Sequence, residues 1–131
     1  MVHVGETEKI TINLGLVDLG QIDLLVRQGF YSNRTDFIRT ATRNQLAGHG
    51  DTVKQTVARK RMVLGLEHYS RRDLEAVAAR GKKLEILVVG LVSIADDVSP
   101  ELARDTIESI EVLGALRASP AVRAALADRI R

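Results

Sequence analysis

Residues 8–15, EKITINLG, set Ile10, Ile12 and Leu14 in alternation with Lys9, Thr11 and Asn13. A period of two marks a strand with one buried and one solvated face. No hairpin turn and no second segment of this kind follows within the next forty residues, where the spacing turns helical at once. A lone strand leaves a row of backbone N–H and C=O groups without partners. Such a chain needs a partner strand from elsewhere, and a second copy of the same segment supplies one.

Helical spacing begins with Leu16, Leu19, Ile22 and Val26, with Asp18 near the start and Gly29 as a stop. Gly20 inside this stretch costs about 1 kcal/mol relative to alanine. A second helix opens in YSNRTDFIRTATRNQL, where Ser32 or Asn33 can cap and Asp36 meets the free N–H groups of the first turn. Phe30, Phe37, Ile38, Ala41 and Leu46 give it apolar contacts, and AGHG at 47–50 ends it. Strand, helix, turn and helix in about forty residues cannot enclose a core alone. Two copies can: their strands pair antiparallel, Ile10, Ile12 and Leu14 face four helices, and Lys9, Thr11 and Asn13 form a polar ribbon on the other side.

KITINL, LVDLGQIDLLVRQG and YSNRTDFIRTATRNQL together resemble the ribbon-helix-helix family of DNA-binding proteins of the MetJ, Arc and CopG type. The resemblance covers residues 8–47 and implies a homodimer on double-stranded DNA. Its paired strands would enter the major groove, with Lys9, Thr11 and Asn13 at base edges. Ser32, Asn33 and Arg34, at the N-terminus of the second helix, would meet a phosphate. The side-chain chemistry agrees. Lysine donates to guanine O6 and N7, asparagine pairs with adenine, and threonine donates, accepts or touches a thymine methyl. Gly15 stands where the family often has proline, and the ribbon carries one positive charge per chain. Arg39 and Arg43 read as solvated.

Charge is uneven along the chain. Residues 1–50 balance five basic against five acidic side chains, 51–83 carry nine against four, and 84–131 five against eight. The net +2 is thus a neutral head, a basic middle and an acidic tail. Within GHGDTVKQTVARKR, Lys54, Arg59, Lys60 and Arg61 make residues 48–61 a basic linker or a helical extension. Its cations can reach flanking phosphates.

The remainder repeats. A shift of 24 superposes Val88 on Val112, Gly90 on Gly114, Val98 on Val122, Leu102 on Leu126 and Ala103 on Ala127, and Gly65 precedes Gly90 by 25. Three units of strand and helix follow: MVLGLEHY with RRDLEAVAARG, LEILVVGLVSI with SPELARDTIESI, and IEVLGALRA with SPAVRAALADRI. SPEL and SPAV set serine at the cap and proline at the first helical position. This is the layout of a short βα solenoid similar to leucine-rich repeats, or of a small α/β sheet. Three units make a marginal stack, so burial against another subunit or a protein partner is expected.

Reactive chemistry is sparse. The chain has no cysteine, His68 is the single histidine of this half, and no nucleophile–base–acid set occurs. Neither a metal site nor a cofactor is expected, and no enzyme activity. Asp96, Asp97 and Glu101 read as a solvated turn and cap, and Gly90 and Gly114 as close-packing positions. The longest apolar run, LVVGLV, is far too short to span a bilayer, so no membrane contact is expected. Cysteine usage and the absence of a signal-like run suit the cytoplasm, with the protein at the nucleoid.

The expected fold is α+β, with a ribbon-helix-helix domain at 1–47, a basic linker at 48–61 and a βα-repeat domain for oligomerisation or partner binding at 62–131. The expected function is a dimeric, sequence-specific transcriptional regulator. An antitoxin with the same head, or a DNA-tethered filament former, are the alternatives.

Overall fold

The computed structural model describes residues 6–131, so the first five residues of the expected head domain lie outside it. It divides into two units, residues 7–56 and residues 57–131.

In the first unit, residues 7–15 form neither helix nor strand within one chain. A strand is defined by its backbone partner, and among the described residues no strand pairs with this segment. Helix α1 (Leu16–Arg27) follows Gly15, with Asp18 in its first turn and Arg27 in its last, each matched to the helix dipole. Gly29 then takes φ +87, a left-handed value at which glycine carries no Cβ penalty. Helix α2 (Arg34–Gly48) is capped by Asn33, whose side chain accepts from the Asp36 N–H at 2.8 Å. The Asp36 carboxylate in turn accepts from the Ser32 N–H at 2.9 Å, closing a reciprocal cap. His49 interrupts the helix for one residue, and α3 (Gly50–Arg59) continues. The basic segment 48–61 is therefore mostly helical.

The second unit is built on three parallel strands in the order β1 (Val63–Tyr69), β2 (Leu84–Ile94) and β3 (Ile107–Arg117). Helices α4 (Arg71–Ala79) and α5 (Pro100–Thr106) connect them, and α6 (Pro120–Ala125) follows β3. Ser70 caps α4 in a full capping box with Asp73. Ser99 and Ser119 cap α5 and α6, accepting from Leu102 N–H at 3.1 Å and Val122 N–H at 3.2 Å. Each is followed by proline at the first helical position, as the sequence predicts.

The repeat spacing coincides with the strand register: Val63, Val88 and Val112 align, as do Gly65, Gly90 and Gly114. The three glycines have φ of 140, 139 and 125°. A Cβ on Gly90 would overlap the Gly65 carbonyl oxygen, and one on Gly114 the Gly90 carbonyl oxygen. Both positions thus need glycine twice over, for the dihedral and for the space. One face of the sheet packs on the helices through Ile86, Val88, Val92, Ile94, Ile110 and Leu116, against Leu74, Ala103, Val122 and Leu126. Thr106 is buried with them, its hydroxyl donating to the Leu102 carbonyl at 2.7 Å.

Two boundaries differ from the sequence reading. Residues 107–110, expected as the end of a helix, open β3 instead. Leu84 pairs with Ile107 but Glu85 with Ser109, so Glu108 is an extra residue at a bulge. The bulge lets Ile107 and Ile110 both turn inward at a spacing of three, which mimics a helical face. The last helix stops at Ala125 rather than running to Ile130. Ile130 instead forms a parallel bridge with Ile110 on the β3 edge. There the Ile110 N–H donates to the Arg129 carbonyl at 2.9 Å, and the Arg131 N–H to the Ile110 carbonyl at 2.8 Å.

Candidate nucleic-acid interface

Among described residues of the first unit only Ile22 is buried. Its apolar side chains instead line an open groove of about 600 Å³. Leu25 lies on one wall, Phe37, Ile38 and Ala41 on another, and Ile12 and Leu14 come from the extended segment. Thr11 and Asn13 do not line it and are exposed. Ile10, Ile12 and Leu14 are 77, 53 and 40% exposed, high values for aliphatic side chains drawn up against helices. The Tyr31 ring meets Phe37 edge-on at 4.9 Å between centroids.

Lys9 lies in a second groove with Thr35, Arg39 and Arg43 of α2. The sequence set those two arginines aside as solvated, yet both line a groove that they share with Glu8, Lys9, Ile10 and Ile12 of the segment. Their spacing of four along one helix was the available signal.

The turn before α2 is more occupied than the sequence suggests. Ser32 and Asn33 both take part in the cap around Asp36. The Arg34 guanidinium grips Asp23 of α1 with two hydrogen bonds of 2.8 Å, Nε to Oδ1 and Nη2 to Oδ2. Through these bonds Arg34 holds the Asp23 carboxyl below the usual carboxylate range, and Asp23 raises the pKa of Arg34. A fork-to-fork pair of this kind fixes the angle between two helices better than a point charge would. Lys9, Thr11 and Asn13 sit on the extended segment, whereas Ser32, Asn33 and Arg34 sit at the helix N-terminus.

The Ribbon-Helix-Helix transcriptional regulator family matches the chain over residues 5–123. The protein belongs to that family. The match runs through both units and takes in all three strands of the parallel sheet. Neither a curated protein nor a solved structure matches the chain. Among described residues of this ribbon-helix-helix protein, no group of three or more His, Cys, Asp or Glu side chains is placed to hold a metal ion, and no helix is long and apolar enough to cross a membrane.

Proposed function

We propose that the protein is a homodimeric, sequence-specific DNA-binding regulator. Two copies pair residues 9–14 antiparallel, and the ribbon enters the major groove with Lys9, Thr11 and Asn13 toward base edges. The open apolar groove of the first unit carries this reading. A segment with exposed Ile10, Ile12 and Leu14 and no backbone partner, beside helices with one buried side chain, is half of an interface. A second copy supplies both the missing strand and the missing core.

The turn at Ser32, Asn33 and Arg34 meets phosphate through its backbone. The first N–H groups of α2 point out of the helix end and favour an anion. The Arg34 guanidinium, engaged by Asp23, holds that helix end in position. Lys9, Arg39 and Arg43 add positive charge beside the ribbon.

Domain limits follow in the same reading: the DNA-binding head reaches from the start of the chain to residue 47, the basic stretch 48–61 connects, and 62–131 serves assembly or a partner. An antitoxin tail orders on its toxin, whereas the buried cluster of the second unit forms within one chain, which weighs against that alternative. The tail pairing at Ile110 covers part of the β3 edge and weighs against open-ended growth from that edge. The protein then works at the chromosome, in the cytoplasm.

The test uses the DNA fragment recovered from the sites the protein occupies in its genome. Lys9→Ala and Asn13→Ala should each weaken binding by about 1–3 kcal/mol, roughly ten- to a hundredfold, at fixed salt. Unchanged affinity in both variants would overturn the reading.

A further inference from the structure

The helices cover only one face of the parallel sheet. On the other, the register sets Leu64, Val89 and Leu113 in one row and Leu66, Leu91 and Ala115 in the next, on either side of the glycine row. Leu64, Leu66 and Leu113 are 58, 42 and 58% exposed. Parallel sheets are ordinarily covered on both faces. The ends of this face differ in charge. Glu85 lies near the start of β2, and Glu111, the fifth residue of β3, pairs with Leu87. His68, Ser93 and Arg117 form a row at the strand ends, where His68 Nδ1 and Ser93 Oγ lie 3.1 Å apart.

We propose that this face is covered by the same face of a second copy of the chain, with the strands of the two sheets antiparallel about a two-fold axis along the glycine row. Glu111 and Arg117 stand three residues either side of Gly114, so the axis sets Glu111 against the partner's Arg117. It also exchanges the two apolar rows: Leu64 over the partner's Leu66, Val89 over the partner's Leu91, and Leu113 over the partner's Ala115, large upon small. A two-fold axis along the central strand would instead set Glu85 upon the partner's Glu85 and exchange β1 with β3, leaving Glu111 and Arg117 unmatched. Three strands about 4.8 Å apart and up to about 36 Å long offer roughly 500 Å² per copy, on the order of 1,000 Å² in all, the lower bound for a specific interface. The face stands without the DNA reading. Where the heads also pair, as the proposed function has it, the tether adds an effective concentration in the millimolar range.

The full chain has no native cysteine, so introduced thiols report without background. A chain carrying both Glu111→Cys and Arg117→Cys is treated with a bis-maleimide matched to the ~10 Å separation of packed sheets. Chain-to-chain linkage is expected in high yield, with several-fold less for either single-cysteine chain. Within one chain the two positions are roughly 20 Å apart, beyond the linker. Leu113→Glu, at an exposed position that leaves the core intact, should abolish the linkage. Equal yields from the single-cysteine chains would overturn the antiparallel arrangement. An unlinked double-cysteine chain would overturn the proposal and give the face to another occupant, such as residues 7–56 of the same chain.

Discussion

Apolar side chains fill 18 of the 50 positions in residues 7–56 and 38 of the 75 in residues 57–131, and the two units use them in opposite ways. The second unit encloses a cluster of twelve buried hydrophobic residues, from Leu74 to Leu126, within one chain. The first encloses Ile22 and leaves Leu16, Val17, Leu24, Phe30 and Leu46 exposed together with its extended segment. A parallel sheet with crossover helices closes its own hydrogen bonds and covers one face as it forms. A strand followed by two helices has one partnerless backbone and one uncovered groove. The difference teaches what the proposed second copy would do for each: in the head it would complete the fold, and in the tail it would only extend it.

The strongest way to break this contrast is to destroy the tail from within. Gly90→Ala forces a Cβ onto the Gly65 carbonyl at a φ of +139 and should cost more than about 3 kcal/mol. Loss of the tail's thermal transition in calorimetry, with the head's transition retained, is the expected result. Dilution is the next lever. Each tenfold fall in concentration should destabilise a shared head by about 1.4 kcal/mol and leave the tail's core unchanged. Amide exchange reads this directly: residues 9–14 should lose protection on dilution while 84–94 keep theirs. A smaller effect sharpens the tail alone. Ser119→Ala removes the cap of α6 and should cost about 1 kcal/mol, read as a lower midpoint in denaturant.

Acid should act on both units and least of all. Arg34 lowers the pKa of Asp23 in the head, the cap at Ser70 lowers that of Asp73, and Arg104 lowers that of Asp128 in the tail. A carboxylate with a depressed folded pKa contributes stability above its unfolded value near 3.8, and that contribution disappears as pH falls through the lower folded value. Melting temperatures of both units should hold down to about pH 4 and fall below it.

What was legible in the sequence divides along the same line. The bounds of β2, the serine–proline openings of α5 and α6, and the alignment of Gly90 with Gly114 are local signals, and each is met where the sequence put it. The start of β3 was hidden because a bulge at Glu108 gives Ile107 and Ile110 a helical spacing. The early stop of α6 was hidden because Ile130 goes to the edge of β3 rather than to a helix face. At the candidate interface, alternation matches Ile12 and Leu14 lining the first groove and Thr11 and Asn13 lying exposed, but it gives no sign that Lys9 lies beside α2. The pair of Arg34 with Asp23 spans eleven residues and two helices, and no local pattern announces it.

The glycine row also limits how such a chain can change in length. A strand added beside Gly114 or within the sheet must carry glycine at the matching place, or its Cβ meets the preceding strand's carbonyl. The length between strands is less constrained, since the glycines align at spacings of 25 and 24 and the bulge at Glu108 absorbs an extra residue; what is fixed is the place of each glycine against its neighbour.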